Sequence, residues 1–573
     1  MLLSLLNWIY IFAICYVLGF FFLPRVSRLI DKDANLSFNW SDNIVAGLVI
    51  ATFYAQTISL FMGVSLAANL ILAVTALALV VIDRKKMTAI GNPFKGAKLG
   101  VGSIALIIFG IVLFVLNLMF TAESSFHYDT GLYHAQAIHW LEDYGVIKGL
   151  GLIHMRFAYN SAYLPLCALF SFRAITGGQS LHCVSGFLSA FVCLYSVYGW
   201  LRTALDKDKA GHKIMSSFVR IAPVFYFLIC FIELTSPESD YITIYLIIWM
   251  FSRLSEIEDS PSRDTALCLF AILSFSLVAY KLSAAVIAVI TIWPLYVLIK
   301  KKNVKSILVC ALFAAANLIP YVIRNIIISG WAIYPVAVID LFDVPWKLPR
   351  GIVESDAAEI AQWARSLNVS GTYSVFGWVL SWWQEQFLAT RMFVSSLILS
   401  LPVLAYEFFD RKRSFAKFMM AVLFGTIVFY FFKAPLIRYC YGPVLVLPLM
   451  IAGYLLEEHR GTLLRTVVVC LVAAAIEAPC VHSVIQLVKF DYEESVARFS
   501  PKDHIVNQVD YPVADVAAED WYGHTVYLPL EGDQCWYSAF PSSPYQEAFD
   551  TNMPVSADLS DGVVRIDRGE EDE

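Results

Sequence analysis

Residues 99–120 read LGVGSIALIIFGIVLFVLNLMF, a run of 22 residues without a charged side chain. At 1.5 Å per residue such a helix covers roughly 33 Å, the thickness of a bilayer's hydrocarbon core. Lipid offers no partner to backbone N–H and C=O groups, so a run of this kind crosses as a helix. The rest of the chain repeats the pattern. Comparable apolar runs lie at 3–23, 43–61, 64–83, 181–200, 218–235, 265–280, 284–299, 306–328, 392–408, 418–433, 441–456 and 466–487, with a shorter one at 241–252. The expected fold is an all-α polytopic membrane protein with about fourteen transmembrane helices.

Composition agrees. Of 573 residues, 59% are hydrophobic and only 15% charged, and the mean hydropathy is +0.66. Soluble domains carry nearer a quarter charged residues. The first run has no basic segment before it and no small-residue cleavage site after it, so it reads as a membrane helix and not as a cleavable leader. Most cysteines, such as Cys15, Cys193, Cys230 and Cys470, lie in apolar runs, where a thiol behaves as a small hydrophobe. Cys535 is in a polar tail, and no CxxC zinc pattern is present.

Charge sets the expected orientation. Basic clusters lie at Arg25/Arg28/Lys32, Arg84/Lys85/Lys86, Arg202/Lys207/Lys209, Arg253, Lys300/Lys301/Lys302/Lys305, Arg411/Lys412/Arg413 and Arg460/Arg465. All are cytoplasmic only if the N-terminus is outside and the Pro165-containing stretch 159–175 does not cross. Residues 1–487 then form one membrane domain with large outer loops at 121–180 and 329–391. Residues 488–573 form an outer C-terminal region with strand-like pieces at Thr525 to Leu528 and Val563 to Ile566, long enough for a small α/β unit. Both termini are expected outside the cytoplasm.

Polar residues concentrate on that outer side. The first loop reads Phe126-His127-Tyr128-Asp129-Thr130-Gly131-Leu132-Tyr133-His134, and Leu132, Ala135, Ile138, His139 and Leu141 predict an amphipathic helix in the interface. Asp129 at its start is a general base, a metal ligand or a helix cap. Asp240 follows Ser236-Pro237-Glu238-Ser239 and opens a membrane helix, again as a cap or as a second carboxylate at the same mouth. Lys281, Arg324, Lys433 and Arg438 are basic residues on the side that ordinarily lacks them. A phosphate at the interface would account for them, and headgroup snorkelling is the plainer alternative. His127, Asp129 and His134 could hold a divalent ion, although the spacing matches no strong metal signature, and His154 lies close by in sequence.

At these residues the chain resembles the GT-C superfamily of polyprenyl-phosphate-sugar glycosyltransferases, which includes protein O-mannosyltransferases and the lipid A aminoarabinose transferase. The resemblance rests on four pieces spanning 99–335. They are Asp129 before its helix, Ala162-Tyr163-Leu164-Pro165-Leu166, the Pro237 to Asp240 turn, and Arg324-Asn325 followed by Gly330 and Tyr334-Pro335. The chain also looks like a group of bacterial multi-pass membrane proteins, through Tyr128-Asp129 to Asn160-Ser161, Tyr334-Pro335 to Trp346-Lys347, and Gly532-Asp533-Gln534-Cys535-Trp536. Asp129 stands alone where the superfamily often pairs two acidic residues.

The resemblance implies a GT-C-like helical bundle in a bacterial plasma membrane. It also implies an inverting transfer of a sugar from polyprenyl phosphate to an acceptor hydroxyl on a glycan, lipid or protein at the outer face. Asp129 would take the acceptor proton, and Asp240 would orient the acceptor or a divalent metal ion. Arg324, with Lys281 or Arg438, would bind the donor phosphate. His127, His134, Arg156, Asn160 and Tyr334 would line the substrate site. Membrane lipids are the surroundings, and no nucleic-acid partner is expected. The competing readings are an O-antigen polymerase or ligase and a lipid-linked sugar transporter. Arg350 and Arg365 in the loop 329–391, without a histidine, weigh against the polymerase or ligase.

Overall fold

The computed structural model describes residues 1–33, 36–88, 99–205, 214–365, 377–386, 413–458 and 504–566, with isolated positions between 391 and 405 and at 485. Ten helices are long and apolar enough to cross a membrane. By residue they are Leu2–Ile30 (α1), Leu66–Met87 within α3, Val101–Thr121 (α4), Val184–Leu205 (α7), Ile214–Glu233 (α8 and α9), Arg263–Tyr280 (α11), Leu282–Lys300 (ending in α12), Val304–Ser329 (α13), Ser414–Lys433 (α16) and Tyr441–Glu458 (α17). All ten coincide with expected crossings. Two further expected crossings, Trp40–Ile58 (α2) and Ser239–Glu256 (α10), are helices of 19 and 18 residues that are less apolar. The runs 392–408 and 466–487 fall largely or wholly outside the described residues, as do Lys207, Lys209, Arg411, Lys412, Arg460 and Arg465.

The helices sort by what covers them. Leu70, Ile71, Val74, Leu77, Val81 and Ile82 on α3 are exposed, as are Ile104, Ile108, Ile111 and Val112 on α4. Water would not tolerate apolar faces this large, and lipid does. By contrast α10 is buried from Asp240 through Ser252 and again at Leu254 and Ser255. A helix walled by other helices can carry polar side chains that find partners, which is why its hydropathy is low. Its Arg253 grips Asp42 of α2 with two bonds of 2.8 and 2.9 Å, and Trp249 donates to Ser41 at 3.0 Å. The backbones of α1 and α2 meet at Gly19 and Gly47. A Cβ on either would overlap backbone atoms, of Asn43 and of Cys15 respectively.

The two ends of the bundle differ. One end gathers ion pairs between helices: Arg25–Asp83, Arg253–Asp42, Arg220–Glu256, and Arg413 with Glu258 and Glu457. The other end carries the loops. There Leu2 and Leu3 donate to the carbonyls of Ile505 and Val506, and Val509 donates to Ala122. The short helix α6 (Tyr163–Leu169) is wholly buried at this end. Its seven residues span roughly 10 Å, about a third of a bilayer core, so 159–175 does not cross.

Residues 504–566 form a small cap on the loop end. An antiparallel pair, β1 (Val516–Trp521) and β2 (His524–Pro529), and a second pair, β3 (Asn552–Pro554) and β4 (Val563–Arg565), flank the short helix Gln546–Thr551. The expected interfacial amphipathic helix is corrected here. The helix α5 (Ala135–Asp143) is buried from Ala135 through Glu142. Its apolar side packs on α6, and its polar side chains meet the cap. Gln136 donates to the carbonyls of Trp536 and Ala539 at 2.8 and 2.7 Å, His139 Nδ1 lies 3.0 Å from the Tyr537 carbonyl, and Tyr537 bonds Glu142.

Candidate functional site

A π turn, Thr130–His134, joins the loop after α4 to α5. Such turns add a residue to the helical path and are frequent at functional sites. This one is braced from outside. The Gly131 carbonyl accepts from the backbone N–H groups of both Cys535 and Trp536 at 2.8 Å. A Cβ at Gly131 would overlap the Gln534 amide and lie 2.8 Å from the Trp536 ring, so the glycine permits the approach. Tyr128 also bonds Asp533. Gly532-Asp533-Gln534-Cys535-Trp536 is therefore a buttress for the turn that begins at Asp129 and ends at His134.

Asp129 caps nothing: its side chain makes no bond to the turn it precedes. Instead Oδ1 accepts from Arg156 Nη1 and Oδ2 from Arg438 Nη2, each at 3.2 Å. Arg438 comes from a one-turn 3-10 helix, Ile437–Tyr439, between α16 and α17. Its Nε lies 3.9 Å from Asp240 Oδ2, so one guanidinium stands between the two aspartates. Asp240 pairs on its other oxygen with Lys281, which follows the last residue of α11. Lys281 Nζ and the Arg438 guanidinium lie 3.9 and 5.4 Å from the Tyr439 ring centroid. The cap reading of Asp240 is also corrected, because Glu238 caps α10 with Oε1, accepting from the Asp240 N–H at 3.4 Å.

Glu238 is the carboxylate that sequence reasoning passed over, although it stands two residues before Asp240. Its Oε2 lies 3.7 Å from His134 Nε2. Burial holds the His134 pKa down at about 4, so the ring is neutral at pH 7. Burial works against ionisation of Glu238, but the basic groups facing it outweigh burial and hold its carboxyl below the usual range. Three carboxylates (Asp129, Glu238, Asp240) thus face three cations (Arg156, Lys281, Arg438) in one small volume.

The other expected site residues divide. His127 stacks loosely on His134, with ring centroids 6.4 Å apart, and joins this cluster. Arg156 joins it through Asp129. Asn160 turns away, donating to the Tyr321 carbonyl of α13 at 2.9 Å. Tyr334 donates to Asp356 at 3.0 Å, and Tyr159 donates to the other oxygen at 2.8 Å. Asp356 lies on α14 (Arg350–Arg365) and is 2% exposed. Nothing in the sequence distinguished it from Glu354 and Glu359 on the same helix. Burial raises its carboxyl above the ordinary range, against the pull of both phenols and Arg156. Arg324 is 1% exposed on α13, and its Nε and Nη1 are buried without a hydrogen-bond partner among the described residues. His154 and His139 are wall residues: His154 Nδ1 accepts from the Arg156 backbone at 3.2 Å, and His139 stacks on Phe540.

A cavity of about 330 Å³ opens elsewhere, lined by Asn69, Glu142, Asp143, Phe172 and Arg173. None of the cluster residues lines it, and its charged pair Arg173–Asp143 sits at its rim as an ordinary ion pair. The chemistry therefore points to the cluster. A family model described as a domain of unknown function (DUF8201) matches residues 1–445, which include every residue of the cluster. No curated protein and no solved structure matches the chain.

Proposed function

The chain belongs to the DUF8201 family, and we propose that it is an inverting glycosyltransferase that moves a sugar from a polyprenyl-phosphate donor to an acceptor hydroxyl at the outer face of a bacterial plasma membrane. One observation carries the reading: Arg438, with a side chain 41% exposed, bridges two buried aspartates at the loop end of a membrane bundle. A glycosyl phosphate diester carries one negative charge and the departing phosphate carries two. Cations already gathered where that charge develops favour the transition state over the ground state.

In this mechanism the acceptor oxygen attacks the anomeric carbon as its proton passes to Asp129. The bond from that carbon to the phosphate oxygen breaks, and the phosphate leaves with the electron pair. A carboxylate has about four acceptor positions, and Asp129 commits two to Arg156 and Arg438. Arg438 is the exposed member and turns from Asp129 to the phosphate when the donor arrives, which frees the base as the leaving group is gripped. Lys281 supports the phosphate from the Asp240 side. Tyr439, between the two cations, offers a face to the sugar.

The test is sugar transfer in proteoliposomes supplied with radiolabelled polyprenyl-phosphate monosaccharides. Wild type is expected to release sugar from the lipid, and Asp129→Asn to lose at least about a hundredfold in rate, the usual range for general base catalysis. Full activity in Asp129→Asn would remove the base. Consumption of lipid-linked oligosaccharide alone would favour a polymerase or ligase.

A further inference from the structure

We infer that His127, His134 and Glu238 form a binding site for a zinc-class divalent cation, beside the aspartate–arginine cluster and distinct from the ligand set His127, Asp129 and His134 that the sequence suggested. One donor atom from each of the three lies within 4.8 Å of the other two. The residues are 7%, 4% and 5% exposed. Two imidazoles and one carboxylate make a set that leaves a coordination position open, as in catalytic zinc sites. Imidazole in the set selects zinc, cobalt, nickel or iron over magnesium and calcium, which take oxygen ligands.

Two independent observations point to a ligand. Nδ1 of His127 and Nδ1 of His134 are both buried without a hydrogen-bond partner among the described residues. A nitrogen left in this state costs free energy that a ligand would recover: at His127 the cation itself could serve, whereas at His134 the nitrogen facing Glu238 is Nε2 and its Nδ1 would take a water. Glu238 is divided in its labour: Oε1 caps α10 while Oε2 faces His134 at 3.7 Å. That separation is too long for a hydrogen bond and close to the roughly 3.4 Å between donors that share a tetrahedral zinc at 2.0–2.1 Å. Asp129 is not among the donors gathered within 4.8 Å; its oxygens accept from Arg156 and Arg438 instead. The π turn sets the spacing, placing His134 where it meets Glu238 and leaving Asp129 at the opposite end of the turn.

The site does not depend on the glycosyltransferase reading, and its test measures binding without turnover. Tag-free full-length protein in detergent, stripped with chelator, is titrated with Co²⁺ and followed by its visible d–d absorption. One tetrahedral Co²⁺ per chain is expected, displaced by Zn²⁺ and without the near-ultraviolet band that a cysteine ligand would add. His127→Ala and His134→Ala should each weaken binding by at least about a hundredfold, the upper end of what losing an outer-shell partner costs. His139→Ala, outside the trio, should leave it unchanged. Should either alanine variant misfold, Glu238→Gln retains a capping oxygen, and Zn²⁺ should raise the melting temperature of wild type but not of that variant. No stoichiometric Co²⁺ in the folded wild type, or undiminished binding in His134→Ala, overturns the site.

Discussion

Arg438 is the residue on which the candidate site turns. It is held by two carboxylates that need it in different ways. Its bond to Asp129 keeps one aspartate positioned, and its approach to Asp240 complements Lys281. Arg438→Ala is expected to lower kcat by about 10²–10³-fold, the range seen when one donor to developing negative charge is removed, and to raise KM for the lipid donor. Arg438→Lys should recover little, because an ammonium cannot span two carboxylates as a planar guanidinium does. Steady-state kinetics in proteoliposomes measure both, and a KM and kcat unchanged in Arg438→Ala would remove it from the site. Glu238 makes the complementary point. It serves a helix cap and a potential ligand with separate oxygens, and only the first of those roles follows from its place at a helix start.

At the scale of the element, α10 is the helix whose polarity needs a reason. Its N-terminus brings Glu238 and Asp240 to the loop end, and at its other end Arg253 locks it to α2. That pairing is bidentate and largely buried, and Arg253 also donates to Glu256 at 2.6 Å, so losing Asp42 removes two charged hydrogen bonds without leaving the guanidinium unpaired. Asp42→Ala should therefore destabilise the protein by about 1.5–3 kcal/mol, read as a lower unfolding midpoint in detergent. An Asn39→Ala variant should lose only about 1 kcal/mol, because it removes the cap of α2 and leaves the ion pair intact. Equal losses in the two variants would show that Glu256 alone suffices to hold Arg253. The π turn is the second element of note. It sits between the bundle and the cap and is held from both sides, which is what keeps an aspartate and a histidine of one short loop on two different sets of partners.

For the whole molecule, the cap of residues 504–566 and the first loop behave as one layer on the bundle. Three buried histidines in that layer, His134, His154 and His182, give it a pH signature. Burial pulls the His154 pKa down to about 3 and the His134 and His182 pKa values down to about 4. An unfolded histidine titrates near 6.5. Between those values the unfolded layer binds protons that the folded layer refuses, so stability falls as pH drops below about 6.5. Each histidine should cost about 2 kcal/mol at pH 5 relative to neutrality. His182 sits where the layers join, its N–H bonded to Gln508 and its ring 4.5 Å from that of Tyr511. Tryptophan fluorescence melts at pH 7.5 and pH 5 should show the drop, and His182→Gln should shrink it. A flat profile in wild type would mean that these rings take up protons without unfolding.

The sequence alone determined the membrane character and most of the helices, because a run of twenty apolar residues has one low-energy state in lipid and needs no distant partner to adopt it. It also pointed to 159–175 staying short of a crossing, since that stretch is short, contains Pro165 and ends at Arg173, and the basic clusters share one side only if it does not cross. Several site residues were legible for a related reason: a charge among apolar residues stands out. Asp129, Asp240, Lys281 and Arg438 were each visible in this way, and the structure brings all four together. Tertiary structure decided the pairings. A carboxylate at a helix start reads as a cap until a distant guanidinium is seen to hold it, as Arg438 holds Asp129. Arg324 stood out as a charge in an apolar run, and only the fold showed it 1% exposed on α13 with Nε and Nη1 unpartnered among the described residues. Asp356 was one acid among several until Tyr159 and Tyr334 enclosed it. The amphipathic pattern of α5 fixed which face is apolar, while only the folded cap, arriving from residues 504–566, decided that its polar face would be buried against protein.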